Sequence, residues 1–157
     1  MRAAAWHIVQ TVAPIASLIL SGCVAMAAGK PDATAVAVAR AHINAWSTHN
    51  YQLARTFLAD DVKVFTTTTQ PIMKGDVNTS GADVYMTGLK QFADGVEAGS
   101  AQVLSAVGDE HNALILLTVR ASFAPGAPKV TLAAARLYLI DDKKIVSEKV
   151  IFYAAGN

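Results

Sequence analysis

A few side chains stand out because their chemistry contrasts with their neighbours. His42 sits in a stretch dominated by alanine, valine and isoleucine, and imidazole is the side chain that titrates near neutrality without help, so His42 is the candidate catalytic acid or base. Arg120, Arg136 and Glu148 interrupt apolar runs in the last third of the chain. Arg136 alternates with Tyr138 and Ile140, which in a strand puts all three on one face. On a concave face, Arg136, Tyr138 and Glu148 would line a pocket and orient a polar group of a ligand. On a convex face they would form a cross-strand ion pair in solvent, and the sequence leaves both open. Tyr85 offers a hydroxyl at a pocket mouth, or packs with Leu89 four residues on. His49 follows His42 by seven residues, two helical turns, too far for one metal ion. No metal site or cofactor is therefore expected; the chain has no glycine-rich phosphate loop, nucleophile elbow or zinc-protease motif.

Charge and cysteine content narrow the classes further. The 157 residues are 53% apolar and carry one cysteine, Cys23. Met1 to Ala27 holds one basic residue, Arg2, and an apolar run from Val12 to Leu20 that is too short to span a bilayer as a mature helix. With its small-residue finish this reads as an export signal over 1–27, followed by a linker over 28–33 and a single domain over 34–157. The expected location is the periplasm or cell envelope. Beyond the leader, 12 basic residues balance 12 acidic ones. Such a chain lacks the electrostatic footprint for nucleic acid or an anionic membrane surface. Without a second cysteine there is no disulfide framework, so apolar burial must stabilise the core.

The elements that position the candidates follow from periodicity. Asp32 or Thr34 can cap a helix to about Ser47, with Val36, Ala39, Ile43 and Trp46 on one face. A second helix starts at the Asn50 cap, turns Leu53, Phe57 and Leu58 inward and stops before Asp60-Asp61. Val62 to Thr69 reads as a strand and Gln70 to Ser80 as a loop. Ser80 and Asp83 have capping-box spacing ahead of a third helix through Tyr85, Leu89, Phe92 and Val96. Four strands follow: Ala101 to Val107, Ala113 to Phe123, Val130 to Ile140 and Ile145 to Tyr153. Short turns between them imply an antiparallel meander. A long twisted sheet with helices on one face curls into a half-open cone with a cavity at its wide end.

Two resemblances add to this reading. Leu20-Ser21-Gly22-Cys23 resembles a bacterial lipobox, which implies lipidation of Cys23 and a membrane association through that anchor; cleavage after Ala27 would instead discard the cysteine. The domain resembles the nuclear transport factor 2-like superfamily, with its SnoaL-like and ketosteroid-isomerase-like members. The likeness rests on Ala45-Trp46, Phe57-Leu58-Ala59-Asp60-Asp61-Val62, Lys74-Gly75 and Tyr138 to Ile145. It implies an α+β fold: a cone-shaped, curved antiparallel sheet with three helices packed on its concave face, binding a small apolar molecule and dimerising through its sheet. Counted along the likeness, the three acidic positions of the steroid isomerase fall on His42, Thr66 and Ala135 or Arg136. Steroid isomerisation in its familiar arrangement is thus not expected, since threonine cannot take a carbon-bound proton at neutral pH. The likeness places His42 on the cavity wall, with Thr66, Tyr85, Arg136, Tyr138 and Glu148 as ligand contacts.

Overall fold

Helix α1 (Thr34–Ser47) buries Val36, Ala39, Ile43 and Trp46, the stripe its three-and-four spacing requires. The computed structural model describes residues 33–68, 76–124 and 126–154. The N-cap of α1 is Ala33, which supplies no side-chain bond. Thr34 is therefore the first helical residue and not a cap, while Asp32 lies outside the described residues. Helix α2 (Tyr51–Thr56) is capped by Asn50, whose side chain accepts from the Leu53 N–H at 3.1 Å. Leu53 itself is 44% exposed, and Ala54 is the residue this short helix buries.

Strand β1 (Leu58–Thr68) begins where the helical pattern predicts a continuing turn. Leu58 pairs with Ile145, and the register shifts before Lys63 meets Ser147. Asp60 and Asp61 thus sit in the irregular opening of a strand and do not stop a helix. Strand β2 (Val77–Ser80) occupies part of the segment whose composition predicts a loop, because edge pairing with Lys63 to Thr66 of β1 satisfies its backbone. Helix α3 (Ala82–Ala93) follows Gly81, whose φ of +92° favours glycine. Ser80 is in β2, so the capping box does not form; Asp83 instead accepts from Arg55 Nε at 2.8 Å. Val96 lies past the end of α3 and bridges Ala121.

Strands β3 (Gln102–Gly108), β4 (Asn112–Ala121), β5 (Val130–Asp141) and β6 (Lys144–Ala154) lie within two residues of their predicted bounds. The sheet order is β2-β1-β6-β5-β4-β3, antiparallel except for the parallel pair β1 and β6. The result is an α+β fold with a curved, unclosed sheet and three helices. Burial alternates along β4 and β5, so one sheet face meets the helices. Trp46, Leu58, Ile115, Leu117, Ile140 and Ile145 fill the space between. Leu137 and Leu139 point to the other face and are 42% and 45% exposed. Among the described residues no helix is long and apolar enough to cross a membrane.

Candidate functional site

Alternation along β5 turns Arg136, Tyr138 and Ile140 to the helix-covered face. The β5–β6 register sets Glu148 opposite Tyr138 and Val150 opposite Arg136, so Arg136 and Glu148 are diagonal neighbours. Arg136 Nη1 donates to Glu148 Oε1 at 2.7 Å, with both side chains almost wholly buried. The solvent-exposed ion pair allowed by the sequence is thus not what forms. The second carboxylate oxygen accepts from the Tyr85 hydroxyl of α3 at 2.5 Å. The Arg136 guanidinium also lies 4.7 Å from the centre of the Trp46 ring, in cation–π range. Arg120, by contrast, is exposed and faces Glu97 at 3.5 Å.

His42 projects from α1 into the same buried region. Its Nδ1 lies 3.1 Å from the Ala54 carbonyl oxygen, which can only accept, so the proton of the neutral ring is on Nδ1. Nε2 is then a lone pair, buried and without a partner. Burial pulls the His42 pKa down to about 4; Glu148 opposes this and Arg136 reinforces it. The expectation of titration near neutrality is therefore corrected, because full burial outweighs the carboxylate. Burial also raises the Tyr85 and Tyr138 hydroxyls, with Glu148 adding to it. Burial disfavours the Arg136 charge, but Glu148, Tyr138 and Tyr85 together outweigh this and keep it protonated. Arg136 Nε, the Tyr138 hydroxyl and Trp46 Nε1 share with His42 Nε2 the condition of being buried without a hydrogen-bond partner.

A cavity of about 120 Å³ opens beside this cluster, between α3 and the β2, β1, β6 and β5 strands. Arg136 and Tyr85 supply buried polar groups to its inner wall, which is otherwise built by Val64, Leu89 and Val150. Thr66, Phe92 and Phe152 are half-buried at the sides, and Val77, Val84 and Gly88 are exposed at the rim. Of the residues nominated from sequence, Thr66, Tyr85 and Arg136 line the cavity. Tyr138, Glu148 and His42 stand behind it, His42 away from the wall where the likeness puts it. Sequence reasoning missed Trp46 as the platform for Arg136, although Trp46 lies one turn after His42 and shares its helix face. It also missed Gly88, which the spacing of Tyr85, Leu89 and Phe92 puts on the cavity side of α3. Among the described residues no three metal-binding side chains gather. Cys23 lies outside the described residues.

This arrangement can be set beside known proteins. A model of the SnoaL-like domain matches residues 39–148. The chain belongs to the SnoaL-like domain family. Among curated proteins no match reaches significance. Similar solved structures include an NTF2-like protein of unknown function from Cytophaga hutchinsonii, with a TM-score of 0.59 and 18% identity over 79% of this chain and 94% of that one. An LEH-like epoxide hydrolase from M. tuberculosis aligns with a TM-score of 0.59 and 17% identity, covering 76% of this chain and 83% of that one. A Catenulispora acidiphila protein with a ketosteroid isomerase-like fold, solved in complex with trimethylamine, aligns at 0.61 and 14% identity, covering 75% and 85%. At these identities the structures share the fold alone. The matched SnoaL-like span takes in His42, Tyr85 and Arg136 and ends on Glu148.

Proposed function

We propose that this SnoaL-like domain binds a small, largely apolar molecule in the cavity beside α3, with a polar end of that molecule on Arg136. One observation carries the reading: among the described residues of the cavity wall, Arg136 is the single charged side chain, in a lining of valines, a leucine and phenylalanines. An apolar pocket with a few convergent polar groups is how small-molecule sites are built. His42 stands behind the cavity wall, and Glu148 already accepts from both Arg136 and Tyr85, so the reading rests on binding. The domain is exported and works in the periplasm or envelope; this rests on the apolar, small-residue leader.

The test is native mass spectrometry of the protein purified from its own envelope. Wild type should retain a small molecule, and Gly88→Trp, which fills the rim, should lose it while keeping its fold. Equal retention by both forms would overturn the assignment of the cavity.

A second reading, a dimeric interaction module without chemistry, draws on Leu137 and Leu139, exposed on the outer sheet face beside half-buried Leu114. Sedimentation of Leu137→Lys/Leu139→Lys checks it: a monomeric variant of a dimeric wild type supports a sheet-face dimer.

A further inference from the structure

We infer that the cavity selects a neutral hydrogen-bond acceptor, a ketone, ester, amide or ether on an apolar body, and rejects carboxylates, with Glu148 as the residue that sets this charge preference. The inference rests on the binding reading above and adds the ligand's chemical class. An arginine on an apolar wall would by itself suggest an anion site, because guanidinium and carboxylate match in shape and charge. Here that charge is already balanced. Glu148 lies 2.7 Å from Arg136 on the side away from the cavity, and its side chain is fully buried. A carboxylate entering the cavity would bring a second negative charge near Glu148 in a region where water screens little. Among the described residues that touch Glu148 or line the cavity, none can take up that excess. His42 is neutral above about pH 4, and Tyr85 is a neutral donor already directed to Glu148. A neutral acceptor meets no such cost, because Arg136 lines the cavity and retains N–H groups beyond the Nη1 that Glu148 holds.

Size sets the scale of the ligand. A dry protein cavity of about 150 Å³ takes a benzene ring, so a volume of about 120 Å³ open at a valine rim suits one small ring or branched chain with its head inward.

The experiment uses three molecules of matched shape: acetophenone as the neutral acceptor, benzoate as the anion and cumene as the apolar control. Each is titrated into the folded domain near pH 7.5, with affinity read from NMR shifts of the Arg136 side chain and of Val64 and Val150. Wild type should bind acetophenone at least tenfold more tightly than benzoate, and more tightly than cumene. Benzoate binding as well as acetophenone would overturn the charge preference and leave the binding reading standing. Cumene equal to acetophenone would remove Arg136 from recognition and overturn the inference in the same way. Absence of binding by all three would overturn the binding reading, and the inference with it. In Glu148→Gln the order should reverse, benzoate gaining relative to acetophenone by more than the whole wild-type preference. A folded Glu148→Gln with the wild-type order would also overturn the inference, and the wild-type comparison decides it should that variant not fold.

Discussion

Tyr85 on α3 donates a 2.5 Å hydrogen bond to Glu148 on β6, and this bond joins the helix that borders the cavity to the sheet that forms its inner wall. Both side chains are buried, so the carboxylate oxygen has no solvent to replace a lost donor. Hydrogen bonds to charged groups contribute about 1.5–3 kcal/mol, and leaving a buried acceptor unsatisfied adds to the loss. Tyr85→Phe should therefore destabilise the domain by about 2 kcal/mol in urea unfolding with an unchanged m-value. A loss below about 0.5 kcal/mol, the size of an ordinary surface substitution, would show that the bond contributes nothing in solution.

The sheet was the legible part of the fold. Runs such as Val130 to Ile140 are rich enough in strand-forming and apolar residues that their extent follows from the sequence, and the turns between them are short. The helix starts were less legible, because the capping pattern at Ser80 and Asp83 is local. There the edge pairing of Ser80 with Lys63 and the ion pair of Asp83 with Arg55 overrode it. The site was half legible. Arg136 and Tyr138 announced a shared face, but which face, and the diagonal contact with Glu148, depended on the β5–β6 register. The burial of His42 could not be read from its neighbours in sequence, since Phe57 and Tyr85, each 6.4 Å away, come from elsewhere in the chain.

Gly88 occupies the interior of α3, where glycine is less favourable than alanine by about 0.5–1 kcal/mol. A Cβ built there meets nothing within 4 Å. Gly88→Ala should accordingly raise stability by about 0.5–1 kcal/mol, measured as an increase in the denaturation midpoint. A decrease would mean that α3 packs more tightly at the cavity rim than the structure shows.

We predict that Cys23 is lipidated, on the likeness of Leu20-Ser21-Gly22-Cys23 to a lipobox and on the cysteine being alone in the chain. Several acyl chains on one residue anchor a domain stably where one would not. Expressed in a bacterial host with its full leader, the protein should fractionate with membranes, and Cys23→Ser should move it to the soluble envelope fraction. A soluble distribution for both forms would assign the leader to cleavage after Ala27.

His42 should make the domain acid-sensitive in a defined window. Its pKa is about 4 in the folded protein, against an ordinary value of 6.5. Between those values the unfolded chain binds the proton and the folded one does not, so stability rises with pH there. The contribution is fully present above pH 6.5 and is lost as pH falls through about 4. At 1.36 kcal/mol per pKa unit the total is about 3 kcal/mol. Asp60, Asp94, Glu97 and Asp109 have pKa values lowered by their partners, so their losses come below the ordinary carboxylate range, beneath most of this window. The variant to compare is His42→Asn, whose amide can still donate to the Ala54 carbonyl as Nδ1 does. Urea unfolding at intervals from pH 7.5 to 4.5 should show wild type losing about 2–3 kcal/mol and His42→Asn losing much less. Parallel pH profiles for the two proteins would place the acid sensitivity elsewhere and show that His42 reaches water in solution.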